Sequence, residues 1–180
     1  VYLSLDPYMR GRMNAGRSYA TPAELGRVMP GGTIGRVVRS NAPDPRPGEL
    51  VVGSGGWQDY FVAPAGSLQR WDPSVAPIST GLGVLGMPGM TAYVGLLDIG
   101  RPKEGETVVV SAAGGAVGSA VGQIAKIRGC RAVGVAGSPA KCDYVVSEFG
   151  FDACVNYKSG NFVEPLDEAC PNGIDVYFDN

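Results

Sequence analysis

Past residue 101 the hydrophobic positions change rhythm every ten residues or so. Thr107–Ser111 is a short β-branched run, and Ala116–Arg128 then spaces its apolar residues as a helix does. The alternation continues with a strand at Arg131–Ala136, a helix at Ala140–Phe149, a strand at Ala153–Asn156, a helix at Phe162–Ala169 and a strand at Ile174–Asp179. Strands alternating with helices imply βαβ units and a parallel sheet covered on both faces, so the fold class predicted for residues 101–180 is doubly wound α/β.

The first part of the chain has a different texture. Gly35–Arg39, Glu49–Val52 and Asp59–Val62 read as short strands, and Pro43-Asp-Pro-Arg-Pro-Gly48 reads as a turn between two of them. Residues 1–76 are therefore expected to form a small β-rich, partly open barrel. Between them and the α/β part, Ile78, Leu82, Leu85, Met90, Tyr93, Val94 and Leu97 recur roughly every three to four residues. Glycine and proline interrupt that pattern at Gly86–Gly89, so residues 77–100 are expected to be two connecting helices joined by a tight turn.

Two uncharged stretches, Pro73–Leu97 and Thr107–Ala125, approach the ~20 residues that cross a bilayer. The first is broken by Pro77, Pro88 and several glycines; the second is split by Gly114-Gly115 into a strand-like run and a small-residue helix. Neither is read as a span, and no membrane partner is expected. Val1–Leu5 reads as the interior of a strand and Ile174–Asp179 as another strand that the chain leaves one residue later. The expectation is a segment of a longer protein.

Charge narrows the partners further. The 180 residues carry 15 Lys and Arg against 17 Asp and Glu, a net charge of -2, which supplies no basic patch for nucleic acid. There is no histidine. That removes the commonest metal ligand and the commonest general base, so His-based zinc catalysis and Ser-His or Cys-His triads are excluded within this segment, and no metal ligand is assigned. Cys130, Cys142, Cys154 and Cys170 include no CxxC pair and read as reduced cytoplasmic thiols filling core positions. Trp57 and Trp71 read as barrel packing or rim residues.

Chemistry concentrates in Val108-Val-Val-Ser-Ala-Ala-Gly-Gly-Ala-Val-Gly118. This small-residue loop follows a buried strand and opens a helix, with Ala113, Gly115 and Gly118 at G-x-G-x-x-G spacing. Small residues let the backbone turn and approach a pyrophosphate, while a helix N-terminus offers free N–H groups and partial positive charge. Ala113 stands where the first glycine belongs, and a plain tight turn is the simpler alternative; the downstream βα pattern favours dinucleotide binding. The next strand, Val133-Gly-Val-Ala136, ends in Gly137-Ser138 with Lys141 in the following first turn. An NAD site places a carboxylate there for the ribose 2′-hydroxyl. A hydroxyl, an ammonium and helix N–H groups favour a 2′-phosphate instead, and so NADPH. A solvated Lys141 and an ordinary N-cap Ser138 are the plainer readings.

Four motifs carry a resemblance. Leu3-Ser-Leu-Asp-Pro-Tyr-Met-Arg-Gly-Arg-Met13, Gly86-Met-Pro-Gly-Met-Thr-Ala-Tyr93, Val110-Ser-Ala-Ala-Gly-Gly-Ala-Val-Gly-Ser119 and Val176-Tyr-Phe-Asp-Asn180 resemble the zinc-independent alkenal, prostaglandin and curcumin reductase branch of the medium-chain dehydrogenase/reductase superfamily. The likeness runs along essentially the whole chain. It implies an incomplete GroES-like substrate domain at 1–76, connecting helices at 77–100 and an incomplete Rossmann NADP-binding domain at 101–180, with the active site between the domains. Zinc-dependent relatives carry Cys and Gly-His-Glu in the first domain, where this chain has Asp6-Pro7-Tyr8 and Gly31-Gly-Thr-Ile-Gly35.

Carried over by resemblance, Gly115, Ala116, Val117 and Gly118 would cradle the pyrophosphate, and Lys141 with Tyr157 would hold the 2′-phosphate. Asn180 would lie along the cofactor, Met90 and Thr91 would approach the nicotinamide, and Tyr8 would line the substrate pocket. Tyr157 reads otherwise as a rim aromatic, and Met90 as core. The implied activity is metal-free, NADPH-dependent reduction of the carbon–carbon double bond of an enal or enone, with hydride added to the β-carbon. The catalytic proton donor is expected outside this segment. A quinone reductase of the same superfamily, or a non-enzymatic NADPH-binding protein, are the alternatives. The resemblance also suggests a homodimer, and the thiols a cytoplasmic one.

Overall fold

The computed structural model describes residues 2–16 and 21–180. The chain divides into two compact units, Val1–Leu82 and Gly83–Asn180, so the 77–100 stretch is shared between them.

The first unit is a four-stranded antiparallel sheet in the order β1 (Tyr2–Leu3), β2 (Thr33–Arg36), β3 (Leu50–Gly53), β4 (Gln69–Trp71). Ile34 faces Val52 across β2 and β3, and Val51 faces Arg70 across β3 and β4. Met9, Ile34, Leu50 and Val51 are buried. Met9 arrives on α1 (Tyr8–Arg12), a five-residue helix after Pro7 that is too short to leave a periodic pattern. The expected strand at Gly35–Arg39 lies two residues earlier, because Val37 already closes onto the turn, accepting from the N–H of Gly48 at 2.8 Å.

The strand expected at Asp59–Val62 does not form; Tyr60 and Val62 are exposed. Phe61 instead fills the space left by two glycines: a Cβ at Gly55 would lie 2.4 Å from its ring, and one at Gly53 3.7 Å from it. Packing one ring into that gap takes the place of strand pairing. The fourth strand is Gln69–Trp71, whose polar sequence gave no strand signal. Arg70 on this strand pairs with Glu49 at 2.6 Å.

In the second unit, the expected turn at Gly86–Gly89 is instead the start of α2 (Met87–Tyr93), which runs into a π-helical turn, Val94–Gly100. Pro88 fits the first helical turn, where its missing N–H costs nothing. Gly89 has no alternative residue, since a Cβ there would fall 1.7 Å from the carbonyl oxygen of Val84.

The remaining elements follow the expected alternation: β5 (Thr107–Val110), α3 (Ala116–Ile127), β6 (Arg131–Ala136), α4 (Pro139–Phe149), β7 (Ala153–Asn156), α5 (Val163–Ala169) and β8 (Val176–Phe178). The sheet is parallel in the order β7-β6-β5-β8. Val108 and Val110 pack with Ala120, Val121 and Ala125 of α3 on one face. Val109, Val133 and Val155 pack with Ala169 and Cys170 on the other. Burial on both faces is why β5 reads as an unbroken apolar run, and each of these valines contributes about 1.5–3 kcal/mol. No helix among the described residues is long and apolar enough to cross a membrane.

Candidate functional site

The loop between β5 and α3 is built by close packing. Its turn is made by Ala112, whose φ of 44° lies in the left-handed region that costs a residue with a Cβ about 1 kcal/mol or more. Gly118 tolerates the carbonyl this turn aims at α3: a Cβ there would stand 2.5 Å from the Ala112 oxygen. Ala113 is fully buried and donates its N–H to Val135 O at 3.1 Å. Its methyl occupies space that Gly134 leaves open, where a Cβ would lie 2.9 Å away. The alanine in place of the first glycine is thus matched by a glycine on the neighbouring strand.

Gly115 is the N-cap of α3. The N–H groups of Ala116, Val117 and Gly118 occupy the first turn, for which a helix supplies no acceptors. Together with the helix dipole they suit a diphosphate. Beside them the ends of β5 and β8 are stitched. The Ser111 hydroxyl donates to Asp179 Oδ1 at 2.9 Å and accepts the Asn180 N–H at 2.8 Å. This brings the Asn180 amide within 3.9 Å of the position a Gly115 Cβ would take.

A second group gathers at the ends of β6 and β7. Ser138 caps α4, its hydroxyl accepting the Lys141 N–H at 3.3 Å. Tyr157 donates its N–H to Ala136 O at 3.1 Å, and its hydroxyl lies 3.1 Å from where a Gly137 Cβ would be. Among the described residues, no carboxylate pairs with Lys141. The structure therefore brings Ser138 and Tyr157 to Gly137, with Lys141 one turn into α4. Ser111, Asp179 and Lys158 belong to this edge and carry no signal of a role in the sequence; Lys158 stands within the Val155-Asn-Tyr-Lys158 run and places its ammonium 5.6 Å from the Tyr157 ring centre.

Met90 and Thr91 lie on α2, which packs on α3. Met90 is exposed rather than core, and the Thr91 hydroxyl donates to Met87 O at 2.8 Å. Tyr8 belongs to the first unit, partly exposed at the start of α1.

The cysteines are all free. Burial pushes the thiols of Cys130, Cys154 and Cys170 up from their ordinary value, and at Cys154 a hydrogen bond with Cys142 adds to it. They stay protonated and unreactive at neutral pH. Among the described residues no three His, Cys, Asp or Glu side chains are grouped to hold a metal.

Two family patterns cover most of the chain: an N-terminal domain of oxidoreductase matches residues 1–71, and a zinc-binding dehydrogenase domain matches residues 116–180. NADPH-dependent curcumin reductase of Escherichia coli is 55% identical over 180 residues, covering 100% of this chain and 52% of that protein. Along its whole length the chain matches the zinc-independent branch of the medium-chain dehydrogenase/reductase family.

Other members of this family are similar along the same span. The 2-alkenal reductase (NADP(+)-dependent) of Nicotiana tabacum is 45% identical, covering 100% of this chain and 53% of its own. The crystal structure of CurA in complex with NADPH from Vibrio vulnificus superposes with a TM-score of 0.93 at 52% identity, covering 100% of this chain and 53% of that one. The chain spans about half the length of these relatives.

Proposed function

We propose that the complete protein is an NADPH-dependent reductase of the carbon–carbon double bond in α,β-unsaturated aldehydes and ketones. The observation that carries the cofactor assignment is the rim after β6, where Ser138 caps α4 at the Lys141 N–H, Tyr157 lies against Gly137, and the strand ends in Gly137-Ser138 with no carboxylate. The substrate class rests on the family likeness to curcumin and alkenal reductases.

The residues present fit the dinucleotide. The first turn of α3 would take the diphosphate on the N–H groups of Ala116, Val117 and Gly118, with Gly115 and Gly118 keeping side chains out of its way. Asn180, held by Ser111, would lie along the cofactor. Lys141, Ser138 and Tyr157 would bind the 2′-phosphate with charge-assisted hydrogen bonds. Bound NADPH would supply the hydride that adds to the substrate's β-carbon. Met90 and Thr91 would flank the nicotinamide, and Tyr8 would line the substrate pocket, offering an apolar ring face and one polar tip. The four free thiols suit a cytoplasmic protein.

The test is consumption of NADPH and of NADH, measured separately, by the complete protein with a medium-chain enal, an aryl enone and a quinone. Faster enal or enone turnover with NADPH is expected. Turnover of the quinone alone would move the protein to the quinone reductases, and NADPH binding without turnover of any of them would make it a non-enzymatic binder.

A further inference from the structure

Tyr157 is 53% exposed, and a phenol free to swing on such a surface would hold a phosphate poorly. Three contacts restrain it. Its backbone N–H is tied to Ala136 O, and its hydroxyl edge lies against the bare backbone of Gly137. The third contact is the ammonium of Lys158, 5.6 Å from the ring centre, within the range at which a cation is drawn to an aromatic face.

Lys158 is itself anchored at its backbone. Its N–H donates to Asn156 Oδ1 at 3.0 Å, and the Ser159 hydroxyl donates to Asn156 O at 2.9 Å. The turn after β7 is thus closed on both sides of Tyr157. Among the described residues Lys158 makes no ion pair with a carboxylate, so its charge is not neutralised by a neighbour. The half-exposed ring is thus met on two sides, by an ammonium over one face and by Gly137 at its hydroxyl edge.

We propose that Lys158 is a positioning residue for cofactor choice: it holds the Tyr157 phenol against Gly137, so that the rim recognises an adenosine ribose carrying a 2′-phosphate. The proposal rests on the cofactor reading above and adds a residue to it. A ribose hydroxyl gains little from a fixed donor at this place, whereas a phosphate gains a charge-assisted hydrogen bond.

The experiment measures dissociation constants of NADPH and NADH for the complete protein carrying K158M, K158R and Y157L, K158M combined with Y157L, and K141A. K158M is expected to weaken NADPH about 2- to 5-fold, the size of an exposed cation–π contact, and to leave NADH unchanged. K158R, which also binds an aromatic face, is expected to restore NADPH affinity. In the Y157L background K158M is expected to add nothing.

If K158M leaves the NADPH-to-NADH ratio unchanged while K141A lowers it, the role of Lys158 is overturned and the cofactor reading stands. If neither changes the ratio, the cofactor reading itself fails. An equal NADPH loss from K158M with and without Tyr157 would mean direct phosphate contact and would overturn positioning. K158R behaving like K158M, or equal loss of both cofactors, would overturn it too.

Discussion

The glycine loop after β5 and the rim after β6 and β7 lie along one edge of the same sheet, yet they are made of different materials. The loop is backbone and the smallest side chains in close contact: Gly118 under the Ala112 carbonyl, and the Ala113 methyl against Gly134. The rim consists of exposed side chains, Lys141 at the start of α4 and Tyr157 and Lys158 on the turn after β7. A backbone cradle has no tolerance for added volume but does not distinguish cofactors that share a diphosphate. A side-chain rim distinguishes them but contributes weakly at each contact, because water competes.

The most disruptive change on this view is Gly118→Val. Its Cβ alone would stand 2.5 Å from the Ala112 oxygen and 3.0 Å from Ala113 Cα, and a branched side chain cannot fold away from backbone. NADPH and NADH should both lose at least about 100-fold in affinity, the ~3 kcal/mol end of overpacking effects. Titration by nicotinamide fluorescence, with circular dichroism to verify that helices persist, checks this. A loss confined to NADPH would erase the distinction between loop and rim.

Gly122→Ala separates packing from binding. Gly122 lies one turn further along α3, where a Cβ would fall inside the Phe151 ring at 1.8 Å. The phenyl has to move, at about 1–3 kcal/mol of stability. The thermal midpoint should fall by several degrees, roughly what ~1–2 kcal/mol does in a domain of this size. The ratio of NADPH to NADH affinity should stay as it is. A change in that ratio would mean that α3 transmits packing strain to the rim.

At the rim itself, Lys141→Ala should weaken NADPH about 10-fold, as loss of one partly solvated charge-assisted hydrogen bond does, and leave NADH unaffected. The contrast with Gly118→Val is then in kind as well as in size. Raising the salt concentration should shrink the NADPH advantage of the unaltered protein in parallel, since exposed charges are screened. Equal losses for both cofactors would remove Lys141 from the 2′-phosphate site.

The same contrast governs what could be read from the residues alone. The parallel sheet was legible because burial on both faces leaves β5 as a continuous valine run, and because α3 and α4 announce themselves through glycine, serine or proline at their starts. The loop was legible through its spacing; the compensation of Ala113 by Gly134 was not, since it joins residues on adjacent strands. In the first unit, Asp59–Val62 carries the apolar signal of a strand but spends Phe61 on filling the Gly53 and Gly55 gaps. Gln69–Trp71 is a strand through its pairing with β3 and shows no such signal. Lys158 carries no sequence signal of its role because its partner is a ring face, which no spacing rule encodes.

The mildest prediction concerns the opposite edge of the parallel sheet. Asp152, just before β7, accepts from the Ala132 N–H at 2.7 Å and from Lys126 Nζ at 2.6 Å, joining the end of α3 to two strands. Burial alone would push its carboxyl up, but these two donors outweigh burial and hold it below the usual carboxylate range. A carboxyl lowered in the folded state stabilises the protein fully above its unfolded pKa of ~3.9, and that contribution is lost as pH falls through the lower folded value. Asp152→Asn keeps an acceptor for Ala132 and removes the charge. It should therefore cost about 1 kcal/mol or less near neutrality, since Lys126 and Asp152 are partly screened by solvent. The difference between the two proteins should vanish in acid, once the native carboxyl is protonated. Denaturant midpoints measured from pH 7 down to pH 3 test this, and a difference that stays constant or grows toward low pH would contradict the assignment. Because Asp152 lies away from both loop and rim, cofactor preference should not move at any pH where the protein is folded, which separates the stability of the sheet from the selectivity of its other edge.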